Sequence, residues 1–226
     1  MHCVAQSSTS LATTRERTRL ASCCNGDGKE NTGINLMITD KKTYKEYVFQ
    51  DLKAYEVEKL TLYKWCWMDC LRFQLRLRRI EYLYNTMSRN PLRKIRWFIL
   101  ETINHRLATR LGFSIPKNVF GPGLCIVHYG TIVVNPAARI GRNCRIHPST
   151  SIGDYDGVPT LGNYVYIGPG AKLFGNITIG DNVAIGANSV VNNSFGSNVT
   201  IAGVPARIIN DIGALEQRVF PKTIRF

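Results

Sequence analysis

The sequence predicts a mainly β chain, a parallel β-helix preceded by an α-helical segment. Aliphatic residues recur every six positions at Ile140, Ile146 and Ile152, and again at Leu161, Ile167, Leu173, Ile179, Ile185 and Val191. Glycine follows six of these nine directly, at 141, 153, 162, 168, 180 and 186. Over residues 41–111 the spacing is instead a mixture of threes and fours, as on an amphipathic helix.

Residues 1–36 have no sustained hydrophobic period and are rich in Ser, Thr, Asn and Gly. They read as a disordered leader. Met37 opens a segment of different character, so the leader reads either as native chain or as upstream sequence translated with it.

Residues 37–113 read as the helical domain. "TYKEYVFQDLKAYEV" and "NPLRKIRWFILETINHRLATRLG" carry helical spacing. In the second, Ile95, Ile99, Ile103 and Leu107 form one stripe, with Asn90-Pro91 as a start signal and Gly112 as a stop. "LRFQLRLRRIEY" alternates like a strand, so helix and strand both remain open there. Its arginines could meet lipid phosphates while Trp65, Trp67 and Phe73 enter a membrane interface, or the same residues form a solvated helix face packed on its neighbours.

From residue 114 to 209 the six-residue period takes over. It is wrong for an α-helix and too regular for hairpins; it is the signature of a solenoid whose coil is made of three short strands. Each aliphatic stacks on its equivalent eighteen residues later, and small residues let the backbone turn the corners. Four residues after the aliphatics come second inward candidates: Cys144, Thr150, Val165, Ala171, Ile177, Val183 and Ser189. The step from Ile152 to Leu161 is nine residues, so part of "GDYDGVPT" (153–160) must leave the coil as a loop. Residues 210–226 form a C-terminal tail.

The net charge is +13, and residues 37–113 hold most of it, with 16 basic and 8 acidic side chains. Such an excess suits nucleic acid, an anionic membrane surface or an acidic cofactor. No aromatic–basic motif of an RNA-binding module accompanies it, so no nucleic-acid partner is expected. The seven cysteines are scattered without metal-ligand spacing and read as reduced thiols, with no metal. No apolar run is long enough to span a membrane and no secretory signal opens the chain, so a cytoplasmic location is expected.

These residues resemble the hexapeptide-repeat acyltransferases, in particular serine acetyltransferase and its polysaccharide-acetylating relatives. "IAGVPARII" (201–209) is similar to the family's terminal coil, and "IGPGAKLFGNITIGDNVAIGANSVV" (167–191) to its acetyl-CoA-binding stretch. The resemblance implies a left-handed β-helix and a homotrimer, with a dimer of trimers as a further option, and active sites between subunits. It places the family's catalytic histidine on His128, in "GLCIVHYGTIVV". That residue would act as general base on an acceptor hydroxyl; an imidazole of unperturbed pKa about 6.5 suits the task near neutral pH. Acetyl-CoA is the implied co-substrate. Gly168, Pro169, Gly186, Ala187, Ala202 and Gly203 would line its path, with Arg207 and Lys172 meeting phosphates.

The chain departs from serine acetyltransferase at several positions. Val127 stands where a carboxylate precedes the base, and Ser114 where another lies a coil earlier. A backbone carbonyl, Asn135, Asp154 or Asp156 is left to orient the imidazole. The serine-binding loop is shorter and reads Gly157-Val158 before Pro159, where the family has Arg-His. "VFPKTIRF" lacks the acidic tail that engages cysteine synthase. These departures point to O-acetylation of a capsule or exopolysaccharide sugar, with Asp154, Tyr155 and Asp156 as acceptor contacts or simply a solvated acidic turn. Serine O-acetylation for cysteine synthesis and a non-catalytic scaffold are the alternatives. The basic helical segment would cap the solenoid, pair trimers or touch a membrane peripherally. Cys125 and Cys144 are expected to pack inward.

Overall fold

The computed structural model describes residues 37–87 and 90–224. The leader, residues 1–36, lies outside the described residues. Four helices come first: α1 (Lys41–Ala54), α2 (Leu62–Trp67), α3 (Asp69–Asn85) and α4 (Pro91–Leu111). Asp40 caps α1, its Oδ1 accepting from the backbone N–H of Lys42 and Thr43 at 2.7 and 2.9 Å. Asn90 caps α4 in the same way, Pro91 fills the first turn, and Gly112 ends the helix at φ 81°.

α3 settles the ambiguity of "LRFQLRLRRIEY" in favour of helix. Leu, Arg, Gln and Glu are strong helix formers, and tertiary burial of most of the helix outweighs the local alternation. Phe73 is buried at 2% exposure in the core, so it does not face a membrane; Trp67 does face solvent. α4 also departs from expectation. Leu107 packs inward with Asn104, Ala108 and Leu111, whereas Ile95, Ile99 and Ile103 point outward.

Strand β1 (Phe113–Ser114) starts the solenoid, and full coils follow. The first is β2 (Cys125–Ile126), β3 (Ile132–Val134) and β4 (Arg139–Ile140). The second is β5 (Arg145–Ile146), β6 (Thr150–Ile152) and β7 (Thr160–Leu161); the third is β8 (Tyr166–Ile167), β9 (Lys172–Leu173) and β10 (Thr178–Ile179). Next come β11 (Ala184–Ile185) and β12 (Val190–Val191), and Phe195 bridges to Ile179 to complete that coil. β13 (Thr200–Gly203) and β14 (Ala206–Asn210) finish as an antiparallel hairpin around a cis Val204–Pro205 bond.

The strands stack into three faces: a five-stranded sheet β1-β3-β6-β9-β12, a three-stranded sheet β4-β7-β10, and a six-stranded sheet β2-β5-β8-β11-β13-β14. All the six-period aliphatics are buried on the axis, together with the second set from Cys144 to Ser189. Eighteen-residue stacking holds for Ile167 on Ile185 and for Leu173 on Val191. Pairs that span the 153–159 loop, such as Ile152 with Leu173, are three residues further apart. Asparagines at 143, 182, 188 and 198 take left-handed corners, which their short polar side chains tolerate.

The helices and the solenoid share one core: Phe73, Leu77, Leu107 and Leu111 pack with Phe113, Phe120 and Leu124. Cys144 packs inward as expected. Cys125 does not; strand alternation puts Ile126 on the axis and Cys125 on the outer face, where Ala54, Tyr55 and Phe220 cover it.

Candidate active site

The six-stranded sheet aligns the expected residues along one edge. Ile126 pairs with Ile146, Ile146 with Ile167, Ile167 with Ile185, and Ile185 with Ile201. The ladder runs one residue further: the N–H groups of Val127, His147, Gly168 and Gly186 donate to the carbonyls of Ile146, Ile167, Ile185 and Ile201. Val127, His147, Gly168, Gly186 and Ala202 therefore form one column. His128, Pro148, Pro169, Ala187 and Gly203 form the next. At a strand spacing of about 4.8 Å, His128 and Gly203 stand roughly 19 Å apart along this edge.

His128 is exposed at one end of the column, outside the solenoid. Six of the eight expected cofactor residues lie along the edge: Gly168, Pro169, Gly186, Ala187, Ala202 and Gly203. Apart from Pro169 they carry at most a methyl group, so a ligand could approach the backbone. A Cβ on Gly168 would sit 2.7 Å from the Ile185 carbonyl oxygen, so the coils close up there only because the position is glycine. Lys172 lies on β9, and its Nζ donates to the Ser149 carbonyl on the turn beside Pro148, which brings the cation to the same edge. Arg207 sits opposite Ala202 across the final hairpin and is exposed, its Nη1 donating to the Ala206 carbonyl at 2.9 Å.

The acceptor candidates are elsewhere. The chain passes His128 on its way from the six-stranded to the five-stranded sheet; it passes 153–159 between the five-stranded and three-stranded sheets. Asp154, Tyr155 and Asp156 thus occupy a different edge, and a single chain does not bring them to His128. Asp154 Oδ1 accepts from the Gly157 N–H at 3.3 Å, and Tyr155 stacks edge-on with Phe174 at 6.3 Å. Asn135 is on that other edge too, where its Oδ1 accepts from the Ala137 N–H at 2.8 Å. The expectation that Asn135, Asp154 or Asp156 orients His128 is therefore not met within the chain, because one strand's length separates the two corners.

One neighbour escaped the sequence reading. His147 stands in the adjoining column, its ring edge-on to Tyr166 at 5.1 Å. Burial, then the charges of Arg145 and His128, lower its pKa to about 4. It is neutral at pH 7, within electrostatic reach of His128. The signal was available: His147 follows Ile146 as Val127 follows Ile126. Among the described residues no group of three or more His, Cys, Asp or Glu is placed to hold a metal.

Residues 159–193 match the family described as Bacterial transferase hexapeptide (six repeats). The serine acetyltransferase of Synechococcus elongatus is 40% identical over 99 residues, 42% of this chain and 41% of that protein. The serine acetyltransferase of Helicobacter pylori is 35% identical over 127 residues, covering 53% of this chain and 74% of that protein. The chain belongs to the serine acetyltransferase family of hexapeptide-repeat proteins. A family structure, the Brucella abortus serine acetyltransferase in complex with coenzyme A, matches with a TM-score of 0.60 at 28% identity, covering 76% of this chain and 70% of that one. The chain spans less than half the length of the first curated family members it matches, 41%, 48% and 48%. No helix among the described residues is long and apolar enough to cross a membrane.

Proposed function

We propose that the protein is an acetyl-CoA-dependent O-acetyltransferase with His128 as its general base. The observation that carries this reading is the edge itself: an exposed imidazole at one end, a run of small residues between, and the cation of Arg207 at the other. The relative with bound coenzyme A supports the same donor. Gly186, Ala187, Ala202 and Gly203 would hold the pantetheine arm against the backbone, and Arg207 and Lys172 would meet its phosphates. Acetyl-CoA supplies the acetyl group as a thioester. A ring nitrogen of His128 takes the proton of the acceptor hydroxyl as its oxygen bonds to the acetyl carbon, and the proton ends on the sulfur as the carbon–sulfur bond breaks.

Relatives favour L-serine as the acceptor over the sugar hydroxyl expected from sequence. One local feature favours the sugar: the 153–159 loop offers two carboxylates, a tyrosine and Gly157-Val158, and no cation for a serine carboxylate. A cytoplasmic homotrimer belongs to this proposal. The homotrimer follows from assigning the acceptor to the 153–159 loop: within one chain that loop turns a different corner from His128, so a neighbouring chain would have to carry it there.

Incubation with acetyl-CoA and a panel of serine and sugar acceptors, read by mass spectrometry, tests both readings. His128→Ala should lose at least ~100-fold in rate, the usual share of a general base. Transfer by the variant at the parent rate would remove His128 from the role. Acetylserine alone would settle the acceptor for serine.

A further inference from the structure

Helices α1, α3 and α4 enclose a cavity of about 290 Å³ that plays no part in the proposed reaction. Five cations line it, Lys41, Lys45, Arg79, Arg93 and Arg96, and no carboxylate does. The Arg79 guanidinium lies 5.6 Å from the ring centroids of both Tyr44 and Tyr82, which hold it in place. Arg93 Nη1 is tied to the Thr86 carbonyl at 3.0 Å. None of the five enters an ion pair among the described residues. Asp40, next to Lys41, is engaged in capping α1. Five uncompensated cations around one concavity repel one another until an anion enters.

A second observation lies alongside. Leu92, Ile95, Phe98 and Ile99 on α4 are 68%, 55%, 65% and 50% exposed. Arg96 is four residues after Leu92 and three before Ile99, so on a helix this apolar strip directly borders the cationic cavity. An apolar strip beside clustered cations is the chemistry of a helix lying in an anionic bilayer surface. A second copy of this chain fits poorly. The face presents Lys41, Lys45, Arg79, Arg93 and Arg96 with no carboxylate among them, so two such faces would oppose like charges.

We propose that α1, α3 and α4 form a docking face for anionic phospholipid bilayers, the cavity taking a lipid phosphate and the α4 strip resting at the headgroup–acyl boundary. This replaces the interface expected around Phe73, which is buried.

Co-flotation of the full chain with phosphatidylcholine vesicles, with and without phosphatidylglycerol, tests it. Binding should require phosphatidylglycerol and fall as salt is raised. At a factor of about five per cation near the surface, Arg93→Gln with Arg96→Gln should weaken it roughly 25-fold. Ile95→Ser with Ile99→Ser should weaken it while leaving the salt dependence in place. Arg139→Gln with Arg142→Gln, exposed on the solenoid, should change nothing. Each variant's thermal unfolding is measured alongside; none of these side chains is buried, so folding should persist. Equal binding to neutral vesicles would overturn the proposal, as would competition by soluble glycerophosphate without flotation. So would self-association abolished by Ile95→Ser with Ile99→Ser in a protein that floats with neither vesicle.

Discussion

Arg78 has no contact with water, yet it carries a full charge. Its Nε meets Asp51 at 2.8 Å and its Nη1 meets Glu81 at 3.0 Å, and the guanidinium also donates to the carbonyls of Phe120 and Gly121 at 2.9 and 2.6 Å. Burial opposes the charge, and the two carboxylates outweigh it. Asp51 in turn accepts from the N–H groups of Gly123 and Leu124, so one ionic cluster fastens α1 and α3 to the first coil. Arg78→Met would strand two buried carboxylates. It should lower the unfolding free energy by roughly 3–5 kcal/mol in urea titrations. Arg72→Met, from the half-exposed pair with Asp69, should cost under about 1 kcal/mol. His147 supplies a pH prediction. Its folded pKa of about 4 lies below the ordinary value of about 6.5, so between those limits the unfolded chain holds a proton that the folded chain does not. Stability is therefore full above pH about 6.5 and declines as the pH falls toward 4. His147→Leu should flatten that decline in denaturation midpoints measured across the window. An unchanged slope would mean the ring is hydrated in the folded state.

At the level of elements, inward positions differ sharply from outward ones of the same residue type. Ile167 is fully buried between Ile146 and Ile185. Ile167→Ala should cost roughly 2–5 kcal/mol. Ile95→Ala on the outer side of α4 should stay within about 0.5 kcal/mol by the same titration. The solenoid was legible because its period of six fixes both coil and direction: Ile140 through Val191 could face only the axis. Helix α4 was not legible in this way. A helical period of about 3.6 reveals an apolar side but cannot say which side meets the core when two sides are apolar. Leu107 and Ala108 won the contact, and Ile95 and Ile99 were left outside. Cys125 was misplaced for a different reason. The period read from the sequence began at Ile140 and left this strand unassigned; its register puts Ile126 level with Ile146 and Cys125 level with Arg145 on the outer face, where Phe220 covers it. His128 was reached through the family resemblance, since the period read from the sequence begins at Ile140; the loop's position on another edge depends on which corner each strand reaches.

For the molecule as a whole, the C-terminal tail works as a strap. Thr223 Oγ1 donates to the Lys53 carbonyl at 3.0 Å, and Phe220 packs over Cys125 and Ala184 on the six-stranded sheet. Tyr55, under the same strap, donates its hydroxyl to the Ile126 carbonyl at 2.8 Å and accepts from the Ile126 N–H at 3.1 Å. Phe220→Ala should therefore lower stability by roughly 3 kcal/mol, seen as an earlier thermal transition. The stacked edge from His128 to Gly203 has a consequence of its own. Because each coil adds about 4.8 Å, the solenoid is a ruler graduated in coils. Excising residues 168–185 would remove one graduation and leave the aliphatic register intact, since Ile167 and Ile185 are equivalent positions. Under the proposed function, such a shortened protein should fold yet mismeasure the thioester donor, favouring a carrier with a shorter arm.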